Sequence, residues 1–151
     1  MGPSPAPQLR AFIAKYTPEI GAAARSALAT MRKRLPGAVE LVYDNYNALA
    51  IGFGPTERAS DAIFSIAVYP RWVSLFFLQG AALSDPQKLL RGSGRRVRHV
   101  VLEEGTLEKP AVRELMAQAL RKARKPLDGK ARRRLVIKSV SAKQRPRRHG
   151  A

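Results

Sequence analysis

Val39-Glu40-Leu41-Val42-Tyr43-Asp44-Asn45-Tyr46-Asn47-Ala48-Leu49-Ala50-Ile51-Gly52-Phe53 is the stretch on which the fold turns. Val39, Leu41 and Tyr43 alternate with Glu40 and Val42, Asp44-Asn45 supplies a turn, and Leu49, Ile51 and Phe53 resume the same period of two. Such a period places alternate residues on opposite faces of a strand, and turn-forming Asp and Asn between two such runs predict a β-hairpin.

Reading outward, a polar loop from Gly54 to Asp61 leads to a third strand, Ala62 to Tyr69, and Pro70-Arg71 separates it from a fourth, Trp72 to Leu78. Both are apolar on either face, which predicts central positions in a sheet or a place beneath a second covering layer. Val97 to Leu102 reads as a fifth strand, and between the two Asp85-Pro86 is expected to open a short helix carrying Leu89 and Leu90. Upstream, Gln8 to Tyr16 reads as a short helix. Thr17-Pro18-Glu19 then restarts one with an N-cap, a proline in the first turn and an acid against the dipole. Ile20, Ala23, Ala24, Ala27, Leu28, Met31 and Leu35 keep helical spacing until Pro36-Gly37. Lys109-Pro110 begins a last helix whose stripe is Val112, Leu115, Met116, Ala119, Leu120 and Ala123.

Helix, a run of strands with hairpin-length links, then helix predicts the α+β class: a two-layer α/β sandwich in which an antiparallel sheet of about five strands is flanked by N- and C-terminal helices sharing one sheet face. The expected organisation is an N-terminal extension over 1–8, one domain over 9–125 and a basic, mostly disordered tail over 126–151. In that tail Leu135-Val136-Ile137 is the one candidate for a short strand or docking segment.

Composition narrows the chemistry. There is no cysteine among 151 residues, so disulfides and thiolate metal sites are excluded, and a reducing, cytoplasmic setting is expected. No apolar run is long enough to span a membrane. The N-terminus lacks the basic-then-apolar build of a signal peptide, and Ala6 departs from the myristoylation pattern. The formal charge of +17 is lopsided: residues 1–108 hold 13 Lys/Arg against 9 Asp/Glu, whereas 109–151 hold 15 against 2.

Two clusters invite a ligand. One is the turn Gly92-Ser93-Gly94 with Arg95 and Arg98, where converging backbone N–H groups and guanidiniums would favour a phosphate or carboxylate; it equally suits a plain turn between helix and strand, and it is no Walker loop. The other is Tyr43, Asp44 and Tyr46 at one turn with Tyr69, Arg71 and Trp72 at another, which would line the same end of the sheet as pocket wall or as simple packing. In the tail, Arg132, Arg133, Arg134, Lys138, Arg145, Arg147 and Arg148 would attract any polyanion, but without aromatic platforms the contact would be non-specific, and the same residues equally suit a tail that is merely solvated.

Signs of catalysis are sparse. His99 stands apart from any nucleophile and acid in the sequence and is expected to share a strand face with Val97 and Val101; no Gly-x-Ser-x-Gly or His-Glu-x-x-His occurs, so no catalytic residue is assigned. Glu103, Glu104 and Glu108, with Asp44, Asp61 and Asp85, are the oxygen ligands on offer for a hard ion, and no metal site is assigned among them.

Phe12, Tyr16, Pro36-Gly37, Tyr43-Asp44-Asn45-Tyr46, Trp72, Phe77 and Gln79 belong to a wider pattern. Its most specific part is Gly80-Ala81-Ala82-Leu83-Ser84-Asp85-Pro86 followed by Leu89-Leu90-Arg91-Gly92-Ser93-Gly94 and Arg98. Over about residues 9–124 the chain resembles the YdhG-like family of bacterial domains of unknown function. The resemblance implies an α/β sandwich distantly frataxin-like in shape, and one branch of that family is described as an intracellular iron chaperone. An iron site of that kind implies an acidic surface, whereas this domain is mildly basic. The leading expectation is therefore a non-enzymatic binding protein for a small anionic ligand or a protein partner. The alternatives are an iron chaperone and a non-specific nucleic-acid accessory protein acting through its tail.

Overall fold

The computed structural model describes residues 4–149. Proline in the first turn opens α1 (Pro5–Ala14), which buries Leu9, Phe12 and Ile13. The helix thus starts inside the expected extension over 1–8, of which residues 1–3 lie outside the described residues. In α2 (Pro18–Arg34) the Thr17 hydroxyl accepts the Ile20 N–H, Glu19 lies in the first turn, and Arg32, Lys33 and Arg34 occupy the last. Those charges oppose the helix dipole at each end.

The period-two segments become β1 (Val39–Asp44), β2 (Leu49–Gly54), β3 (Phe64–Val68), β4 (Val73–Phe77) and β5 (Arg98–Leu102), each paired antiparallel with the next. β3 and β4 are interior strands, as their two-sided apolar character requires. Register aligns Val42, Ile51, Ile66, Leu75 and Val100 in one row across all five strands. This row, with Phe53, Phe64 and Phe77 beside it, packs in one core with α1, α2 and α3 (Pro110–Lys122). Arg34 of α2 ties the helical layer together by donating to the Leu107 carbonyl at 2.6 Å, just before α3.

Two expectations are corrected. No helix forms at Asp85-Pro86. Instead both Asp85 carboxylate oxygens accept backbone N–H groups, from Leu89 at 2.9 Å and Leu90 at 2.8 Å, while Lys88 has a left-handed φ of 54°. The irregular chain that results carries Arg91 into a two-way backbone pairing with His99, covering the outer edge of β5.

The second correction concerns the tail. Residues 134–140 form β6 (Arg134–Val140), paired parallel to β1 with an irregularity between Val42 and Tyr43, and the sheet order is β5-β4-β3-β2-β1-β6. A central β1 needs partners on both edges for its N–H and C=O groups, and the apolar triplet Leu135-Val136-Ile137 supplies them. Leu135 and Ile137, in register with Glu40 and Val42, pack against the core. The chain before β6 is docked as well: a Cβ on Gly37, whose φ is +81°, would lie 2.0 Å from the Asp128 carbonyl oxygen. The sheet is therefore mixed, with five antiparallel strands and a sixth parallel one.

Candidate functional site

Asp44 closes β1 with a fully buried side chain. Lys15 reaches its Oδ2 at 2.5 Å and Arg147 its Oδ1 at 2.9 Å. Arg147 also donates to the carbonyls of Asn45 at 2.5 Å and Tyr46 at 3.3 Å, and its guanidinium lies over the Tyr16 ring. Gln144 donates to the Asp44 carbonyl and accepts from Lys15. Burial alone would raise the Asp44 carboxyl, but hydrogen bonds from Lys15, Gln144 and Arg147 outweigh it and hold the group below the usual carboxylate range. Asp44, expected to face a ligand, and Arg147, expected to face a polyanion, are thus each other's structural partners.

The other tail cations divide. Arg133 approaches Glu40, which already holds Arg32 in a bidentate pair (2.9 and 2.7 Å); Arg134 pairs with Glu57, and Lys138 donates to the Glu57 carbonyl. Arg148 donates through Nε to the Lys15 carbonyl. Arg132 and Arg145 stay exposed and form no ion pair among the described residues.

The glycine turn is built for shape. A Cβ on Gly80 would sit 2.6 Å from the Cβ of Arg98, so Gly80 is what lets the two segments touch. Arg98 in turn donates to the carbonyls of Gly94 and Val97, bracing the exposed residues Gly92, Ser93, Gly94 and Arg95 from below. The two sequence clusters do not meet: Arg98 pairs with Phe77 at one end of β4, whereas Trp72 precedes the other end.

A cavity of about 720 Å³ opens beside that loop. Its apolar lining is Ala62, Ile63, Leu83, Ala119 and Ala123, and its polar rim carries Arg58, Arg96, Lys122, Arg124 and Lys125 against a single carboxylate, Asp61. Asp61 is already engaged, by the Thr56 hydroxyl at 2.6 Å and Lys125 at 3.2 Å. The Thr56 bond, opposed by partial desolvation and helped by Lys125, holds its carboxyl low. Arg58, Arg96, Lys122 and Arg124 form no ion pair among the described residues. Sequence reasoning missed this rim because its cations come from three separate stretches; the single legible signal is the run Arg121, Lys122, Arg124, Lys125 at the end of α3.

At the far end of the sheet, the aromatic turns do come together. Tyr69 stacks on Trp72 (centroids 5.0 Å apart, 29° between planes), and Tyr46 stands opposite across a shallow groove of about 460 Å³ floored by Ala50 and Ala67. Tyr46 is 49% and Trp72 44% exposed; Arg71 is exposed beside the latter. Tyr43 lies on the same sheet face as Ala50, its hydroxyl buried without a hydrogen-bond partner.

His99 stacks on Phe76 at 5.0 Å; burial, then the Arg91 charge, lowers its pKa. No side chain hydrogen-bonds to it among the described residues, so nothing there orients a general base. Nor do three His, Cys, Asp or Glu side chains gather anywhere among those residues, and the iron reading draws no support from this geometry. Among the described residues no helix is long and apolar enough to cross a membrane. No protein-family model, curated protein or solved structure matches this chain.

Proposed function

We propose that this chain is a non-enzymatic, YdhG-like binding protein whose ligand is a small organic anion held in the cavity between the end of α3 and the loops at Arg58 and Arg96. The observation that carries the reading is the charge imbalance of that rim, five cations against one carboxylate that is already engaged. Guanidinium and ammonium groups around a recess recognise phosphate or carboxylate. The alanine and leucine lining suits a carbon skeleton attached to that anion, and the volume is in the usual range for small-molecule sites. The cysteine-free composition supports a cytoplasmic setting.

A thermal-shift series with inorganic phosphate, organic phosphates and di- and tricarboxylates tests it. A fitting anion at one hundred times its Kd should stabilise the fold by about 2.7 kcal/mol. An Arg58→Ala/Lys122→Ala variant that still folds should lose that shift. A flat response to every anion, or an unchanged response in the variant, would dismiss the reading.

A further inference from the structure

The helix-free face of the sheet carries a second surface, independent of the cavity. Register places Tyr43, Ala50, Ala67, Ser74 and Val101 in one row on that face, and Leu41, Gly52, Ser65, Phe76 and His99 in the next. The segment ending at Ala62 lies against Gly52 and Gly54 and covers the lower corner near Leu41. The groove on this face is lined by Tyr46, Ala50, Ala67 and Tyr69, with Trp72 stacked on Tyr69, and a second aromatic stack, Phe76 on His99, lies farther along the same face. Ser74 is 1% exposed and its hydroxyl has no hydrogen-bond partner, although its register row faces this floor.

Neither of these rows contains an Asp or Glu; Glu103, one residue beyond the Val73–Leu102 pair, is the carboxylate at the Trp72 end. Cations surround it. Arg91, paired through its backbone with His99, flanks one stack, and Arg71 adjoins Trp72. The folded tail brings two more: the Arg145 N–H donates to the Tyr46 carbonyl at 2.9 Å, and Lys143 lies just before it. All four are exposed and form no ion pair among the described residues.

We propose that this face binds single-stranded nucleic acid, with bases on the Tyr69/Trp72 and Phe76/His99 stacks and phosphates on Arg71, Arg91, Lys143 and Arg145. Planar aromatic surfaces over a small-residue floor accept any base, and the cationic border follows a phosphate backbone. Trp72, just before β4, and Phe76 within it are four residues apart, about 13 Å at the rise of extended chain, which separates unstacked bases and cannot be spanned by bases kept paired in a duplex. A second copy of the chain is a poor occupant, since two molecules of charge +17 repel.

Trp72 is the chain's one tryptophan, so its emission reports directly on stacking. The test titrates the full chain with oligo(dT), oligo(U), a duplex of equal length and inorganic polyphosphate, at several salt concentrations. Either oligomer should quench Trp72 and bind more tightly than the duplex, whereas polyphosphate should bind without quenching; oligo(dT) against oligo(U) tells DNA from RNA. Phe76→Ala should weaken oligomer binding about tenfold or more, and Arg71→Ala or Arg145→Ala should each flatten the salt slope by about 0.7. Ala50→Leu, which fills the floor and removes no side chain that binds, should weaken it too, with melting temperatures checking that each variant folds. Equal affinity for polyphosphate and oligomer, insensitivity to Phe76→Ala and Ala50→Leu in folded protein, or self-association that buries Trp72 would each overturn the proposal. Because none of these residues lines the cavity, failure here leaves the small-anion reading standing, and the reverse holds.

Discussion

Replacing Arg147 by alanine should strongly destabilise a protein in which the same change at Arg148 does almost nothing. The Arg147 side chain is 3% exposed, and it donates to Asp44, Asn45 and Tyr46. Its loss leaves the buried Asp44 carboxylate with one cation, Lys15, whose side chain is 40% exposed and so mostly hydrated. Breaking a buried ion pair from one side costs about 3–5 kcal/mol, because the partner's charge remains desolvated. Against a total stability of about 5–15 kcal/mol, that is a large fraction, and for a chain of this size it lowers the melting temperature by about 10 °C. Arg148→Ala removes an exposed hydrogen bond and should stay within about 0.5 kcal/mol. Urea unfolding followed by circular dichroism measures both. An Asp44→Asn/Arg147→Met double variant should recover part of the loss, since it removes both charges together. If Arg147→Ala proved as mild as Arg148→Ala, the tail would be a solvated extension and the docking described above would be wrong.

Three further outcomes are expected. Folding lowers the Asp44 pKa, so on acidification the unfolded chain takes up that proton first; stability should hold above about pH 4 and fall as pH drops through the folded value, and an Asp44→Asn variant should show a flatter acid limb in pH-dependent unfolding. Gly80→Ala should destabilise by about 1–3 kcal/mol in chemical denaturation, because its new methyl meets the Arg98 Cβ at 2.6 Å and the loop must shift. Arg32→Ala should cost about 3–5 kcal/mol by the same assay, since Glu40 is 1% exposed and its desolvated carboxylate loses a bidentate partner.

The five antiparallel strands and the helices were legible because each announces itself locally: a period of two around Tyr43 and Phe53, a Thr-Pro-Glu start at residue 17, a Lys-Pro start at 109. β6 was not, because three apolar residues set among arginines and lysines look solvated until β1, far away in the chain, offers a bare edge. The same distance hid the Asp44–Arg147 pair. Asp85-Pro86 misled for a different reason: an Asp before Pro is a common helix start, and here its carboxylate accepts the Leu89 and Leu90 N–H groups in a loop instead. Of the candidate site residues, Tyr46 and Trp72 were found from turn positions, but the Arg58 and Lys122 rim depends on where α3 ends in space, which spacing along the chain cannot give.

The parallel pairing of β1 with β6 has a consequence for synthesis. When β1 leaves the ribosome its final neighbour is roughly ninety residues from being made, an interval of about 5–20 s at ordinary elongation rates. Throughout it the nascent hairpin offers an apolar strand with one vacant edge, a template for pairing with another molecule. Translation speed and chaperone supply in an expression host should therefore govern how much of this protein is recovered intact.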